Sequence, residues 1–249
     1  MYDPPDYLWA IIITGVIAIP LATCFVLYDG ATRAGLGRTR PALLAGAAAL
    51  LFGGWFTASA VIAGHGWYHT RLGHGVPWMP VAVVGFLATL LALSLVPVVA
   101  RALTAPGTAA RLELPHSFRA LEGSAFLVMM ALGHLPALFA LPAGLGDITA
   151  GLAAPLIMRS LARGGSRRAA LWFTAFGLTD LVTALTLGTL TGFQLVHVTP
   201  SGSPISELPL ALIPTAAVPL LFALHLTSLR TLAAAPRTPE SAVTEKALL

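Results

Sequence analysis

Asp147, Asp180, His134 and His225 stand in stretches of sequence that otherwise carry almost no charge. An ionisable side chain in hydrocarbon costs about 3 kcal/mol or more and is as a rule paired or functional. Carboxylates and imidazoles stepped across a bilayer are the groups a proton relay or cation path requires. Thr183 lies three residues beyond Asp180, on the same helical face, where its hydroxyl can reach the carboxylate. Asp147, Asp180, His134, His225 and Thr183 are therefore the candidate ion-path or ligand-binding residues. The alternative is that each group is satisfied locally. For Asp147 this would be as an acidic group near a helix amino terminus, favoured by the free N–H groups and the dipole.

His65 and His69 form a second candidate, at i and i+4. On a helix this spacing puts both rings on one face and suits a metal ion. Trp67 and Tyr68 lie between them, which equally suits anchoring at a membrane interface. His74, His197 and Glu207 fall on the same predicted side, but no recognised metal motif such as H-E-x-x-H occurs. The single cysteine, Cys24, excludes an internal disulfide and Cys-rich metal sites. A retinal Schiff base needs a lysine in the last helix, whereas the only lysine, Lys246, sits in the tail. His134 and His225 differ in depth by roughly 14 Å at 1.5 Å per residue, too much for two ligands of one haem. The sequence names no cofactor.

The elements that hold these residues must be membrane helices. Of 249 residues, 57% are apolar and only 10% charged, with a mean hydropathy of +0.84. A soluble domain carries about 25% charged residues, so lipid must cover this surface. Seven apolar segments emerge: Leu8–Tyr28, Pro41–Gly64, Trp78–Ala100, Ala120–Leu141, Gly144–Leu161, Ala169–Leu190 and Leu208–Leu229. The split between the fourth and fifth is set at Leu141-Pro142-Ala143-Gly144, a turn-like run. On this pattern thirteen of the fourteen Lys and Arg residues fall on one side, and only Arg71 falls on the other. Arg119 belongs to the third loop, on the basic side, with Arg101 and Arg111.

Basic loops face the cytoplasm, so the amino terminus is expected outside and the carboxyl terminus inside. The expected fold is an all-α seven-helix transmembrane bundle over residues 1–230, followed by a disordered cytoplasmic tail over 231–249. The acidic start, with Asp3 and Asp6, lacks the basic region of a secretory signal, so the first segment is read as a retained helix. The pI of about 9.8 reflects these basic helix ends and does not argue for nucleic acid. The expected partner is the lipid bilayer. Small residues at four-residue spacing, Ala49/Gly53/Thr57 and Ala184/Gly188/Gly192, suit close helix packing within the monomer or in a homo-oligomer. Gly144-Leu145-Gly146-Asp147-Ile148 is faintly echoed by Gly177-Leu178-Thr179-Asp180-Leu181.

On this reading the protein is a multi-pass protein of a bacterial inner (plasma) membrane, a proton- or ion-coupled small-solute transporter or channel. The other classes left open are a membrane-embedded enzyme or metal/redox protein, and a sensor or assembly subunit without turnover. Measured from the outer edge at 1.5 Å per residue, Asp147 should lie roughly 5 Å deep, His134 9 Å, Asp180 16 Å and His225 23 Å. Asp147, His134 and Asp180 are expected to line one polar cavity.

Overall fold

The computed structural model describes residues 4–69 and 76–234, and in these residues there is helix and no strand. Arg71, His74 and the tail after Ala234 lie outside the described residues. The helices are α1 (Asp6–Arg33), α2 (Arg40–Gly64), α3 (Trp78–Ser94), α4 (Pro97–Leu103), α5 (Thr108–Arg111), α6 (Arg119–Ala131), α7 (Ala137–Ala162), α8 (Arg167–Gly192) and α9 (Val218–Ala234). Helices α1, α2, α7, α8 and the stretch Ile213–Ala233 are each long and apolar enough to cross a membrane; the bent pair α3–α4 would make a sixth span. Their outward faces are as apolar as their inward ones: Leu50 is 80% exposed and Trp172 76%. Water would penalise such a surface and hydrocarbon does not, so this is a membrane protein.

Three boundaries differ from the hydropathy reading, each for a backbone reason. The third segment is not one rod: α3 stops at Ser94 and the chain bends by 86° before α4. Pro97 is the cause. It lacks an N–H, holds Val96 extended (φ −62°, ψ 129°) and opens the next helix at its first position.

The break between the fourth and fifth segments is not at Leu141–Gly144 either, because α7 runs unbroken through Pro142. The chain turns instead between Leu132 and Pro136. Gly133 closes α6 in the left-handed region (φ +76°), and Pro136, extended, opens α7. In consequence α6 has only 13 residues. Finally, α9 is preceded by a π-turn over Ile213–Ala217, where Trp55 Nε1 donates to the Thr215 carbonyl at 2.9 Å.

The bundle has two ends. At the end where α1 starts, Ser59 on α2 lies 2.9 Å from the Tyr68 hydroxyl and 2.6 Å from the Thr215 hydroxyl. At the opposite end Asp29 accepts from Arg33 (2.8 Å) and Arg111 (2.5 Å), and Arg33 also reaches the Pro106 carbonyl. These contacts clamp the 104–111 segment onto α1. Gly30 makes the approach feasible, since a Cβ there would strike the Ala102 carbonyl. Beyond the clamp the chain turns inward. Leu112, Glu113 and His116 are fully buried, and a 3-10 turn over Leu114–Phe118 delivers Arg119 to the interior.

Candidate functional site

Arg119, the first residue of α6, is 0% exposed. Its Nε donates to Asp147 Oδ1 at 2.8 Å, and its NH2 donates to Asp180 Oδ2. Its third contact is NH1 to His225 Nε2, at 3.4 Å. Arg119 is thus not a loop charge. It joins α6, α7, α8 and α9 at one level. Because α7 starts at Ala137, Asp147 lies ten residues inside it, roughly 15 Å from that end at 1.5 Å per residue rather than 5 Å. Asp180 follows the start of α8 by thirteen residues, roughly 20 Å. Both are therefore near mid-helix. Glu122, one turn after Arg119, is also buried, within electrostatic reach of Asp147 and Arg119. One of its oxygens, Oε1, has no hydrogen-bond partner among the described residues.

Glycines make this density feasible. A Cβ on Gly123 would collide with the Gly144 carbonyl and Asp147, and one on Gly151 with the Ala120 backbone, so α6 and α7 touch almost backbone to backbone. A Cβ on Gly146 would overlap the Asp180 carboxylate, and one on Gly177 the His225 ring. The faint Gly-Leu-x-Asp echo acquires a physical meaning here: each aspartate contacts Arg119, and each leading glycine, Gly144 and Gly177, is a point of close approach. Gly146→Ala should therefore push Asp180 off Arg119 and cost about 1–3 kcal/mol as over-packing. Thermal unfolding of the detergent-solubilised protein measures this, and an unchanged midpoint would contradict the packing described.

Below Arg119 lies a second polar group. The His116 and His225 rings stack with centroids 3.8 Å apart, and Phe173 meets His116 edge-on at 5.9 Å. Glu113, fully buried, accepts from Ser228 Oγ at 2.6 Å. Above Asp147 lies a cavity of about 770 Å³, in the size range of small-molecule sites. It runs from Asp147, between Phe126, Phe139 and Leu181, to Tyr68 and half-exposed His69 at the end where α1 starts. The small-residue stripe Ala184/Gly188/Gly192 lines this cavity.

The predicted site residues separate accordingly. Asp147, Asp180 and His225 come together on Arg119, and of these Asp147 lines the cavity. Neither His134 nor Asp180 lines it, and its wall is mainly apolar. His134 sits in the α6–α7 break, half-buried. Thr183 spends its hydroxyl on the Thr179 carbonyl at 2.8 Å.

His65 and His69 do not share a helical face, because α2 ends at Gly64 and Gly66 adopts φ +73°. His65 packs near Trp67, while His69 Nε2 lies 3.0 Å from Glu207 Oε1. Sequence reasoning missed Arg119, Glu122, Glu113 and His116. The available signal was Glu122 itself: an acid three residues after an arginine, inside an apolar segment.

No curated protein and no solved structure matches the chain. A family model described as a domain of unknown function (DUF8737) matches residues 76–233. That stretch contains α3 to α9 up to Ala233, and with them every residue of the polar cluster, while α1 and α2 precede it. Since the match covers more than half of the sequence, the chain belongs to the DUF8737 family.

Proposed function

We propose that the protein is a proton- or ion-coupled transporter of small solutes in the inner (plasma) membrane of a bacterium. Counting α1, α2, α3 with α4, α6, α7, α8 and α9 gives seven passes. The third and fourth are irregular: α3–α4 is bent, and α6 is completed by the buried 112–118 segment. An odd number of passes puts the termini on opposite sides, and the arginine bias puts the carboxyl end in the cytoplasm. The cavity then faces outward, and the arginine cluster lies near the bilayer centre.

The observation that carries this reading is Arg119 shared between Asp147 and Asp180, with Asp147 at the floor of the cavity. Three carboxylates, Asp147, Asp180 and Glu122, surround one guanidinium. In a medium of low dielectric that excess must be balanced by a proton or a bound cation. A charge held at Asp147 can exchange with the cavity. Its arrival or departure would redistribute Arg119 between the two aspartates, a bistable element of the kind coupled transport needs. The apolar wall suits a solute with a hydrophobic body.

The test is pH-gradient-driven flux in liposomes containing the purified protein and an internal pH dye. Asp147→Asn and Asp180→Asn keep shape and hydrogen bonding while removing the charge. Each should reduce flux by about a hundredfold, a typical worth of a positioned proton-transfer group. Thr183→Ala should leave flux unchanged. Folded Asn variants that conduct like the unmodified protein would rule the proposal out.

A further inference from the structure

We infer that Glu113, His116 and His225 form a binding site for a divalent first-row transition-metal ion. One ligand atom from each residue lies within 4.8 Å of the others, and all three residues are fully buried. An ion at about 2.0–2.2 Å from its ligands holds them at separations of this order. Binding would turn the stacked His116 and His225 rings out of their parallel arrangement so that their in-plane lone pairs converge. Two imidazoles and a carboxylate are a donor set that suits zinc, iron, cobalt and their neighbours.

Burial alone would not point to a ligand; the unused atoms do. Glu113 Oε2, both ring nitrogens of His116 and His225 Nδ1 have no hydrogen-bond partner among the described residues. Each buried polar atom left in that state costs about 1–3 kcal/mol. Four such atoms in one pocket are hard to reconcile with a purely structural role, and a cation accepting three lone pairs removes most of the cost.

The backbone presents the donors in order. Glu113 and His116 stand three residues apart, His116 N–H donates to the Glu113 carbonyl at 3.2 Å, and Pro115 stiffens the turn between them. Glu-x-x-His at this spacing is a pattern by which helical bundles supply a carboxylate and an imidazole to one ion. His225 completes the set from α9, where Gly177 leaves room for its ring. Ser228 holds the other Glu113 oxygen, the supporting contact that orients a ligating carboxylate.

The protons balance. A neutral imidazole has one N–H and one lone pair. If His225 Nδ1 gives its lone pair to the ion, Nε2 carries the hydrogen and gives up its 3.4 Å contact with Arg119. Arg119 keeps its two carboxylates. Three protein donors leave at least one position for water or a small ligand. The inferred ion would tie the inward-turning 112–118 segment to α9. The inference is independent of transport, because it concerns donors on the far side of Arg119 from the cavity.

Co²⁺ is the probe, since its visible absorption reports coordination. The full chain, purified in detergent, stripped with chelator and carrying His65→Ala and His69→Ala to remove outer histidines, is titrated with Co²⁺. The expected result is one saturable site per chain with visible d–d bands, displaced by Zn²⁺. Glu113→Gln and His116→Gln should abolish saturable binding, and Ser228→Ala should weaken it about tenfold. If the ligand variants fail to fold, X-ray absorption of the Zn²⁺-loaded parent should show a shell of nitrogen and oxygen only, with two imidazoles. Absence of saturable binding, unchanged binding in folded ligand variants, or a shell without two imidazoles would overturn the inference.

Discussion

Arg119→Leu should destabilise the protein by about 3–5 kcal/mol, the usual consequence of removing one partner from a buried ion pair. It strands Asp147 and Asp180, with Glu122 beside them, without the guanidinium that both contact. The measurement is the unfolding midpoint in detergent, or the yield of monodisperse protein. The same logic predicts a rescue. Arg119→Met combined with Asp147→Leu and Asp180→Leu removes the guanidinium and the two carboxylates it hydrogen-bonds, Glu122 alone remaining, and such replacements are often neutral or stabilising. The triple variant should therefore fold and have no pH-dependent flux. Together the two variants separate holding the bundle together from moving charge. A stable Arg119→Leu single variant would mean that the packing of α6, α7 and α8 does not depend on these ion pairs.

The second large effect should come from Gly123→Leu. A side chain here meets the Gly144 carbonyl, the Asp147 Cβ and the Ile148 amide on α7. Backbone cannot rotate away as a side chain can, so α6 must separate from α7 along the seam that positions Arg119. Over-packing costs about 1–3 kcal/mol when neighbours yield, and this position should reach or exceed the top of that range. Gly53→Leu is the control, because a Cβ at Gly53 has nothing within 4 Å. Comparable midpoints for the two variants would refute the seam.

These sites show what a sequence of this kind reveals. Long apolar runs were legible, because hydropathy reports directly on whether a helix can sit in lipid. Helix ends were less so. Pro142 and Gly144 resemble a turn, yet in α7 the glycine serves close packing and the proline is absorbed within the helix. The real stop, Gly133 followed by Pro136, is a clearer pair on physical grounds: one residue takes φ +76° and the other starts a helix without needing its N–H. Asp147 and Asp180 were legible as anomalies. Their partner was not, because Arg119 follows a run of loop-like residues and was counted with Arg101 and Arg111 as a loop charge. The buried turn that carries it inward depends on contacts with α1 and α9 that no local pattern announces.

The short α6 has a consequence for how the chain enters the membrane. At 13 residues, or roughly 20 Å, it cannot span by itself, and it begins with Arg119 and contains Glu122. Its partners are not yet made when it emerges: Asp147 is 28 residues later and Asp180 61 residues later. During synthesis α6 must therefore wait at the surface or in the insertion machinery until α7 and α8 follow. The three helices are then expected to insert as a unit, closing around the arginine only when both carboxylates have arrived. With Cys24 replaced by serine and a single cysteine placed in α6, a ribosome-stalled chain ending before Asp180 should react with a membrane-impermeant maleimide, whereas one extending well past α8 should not.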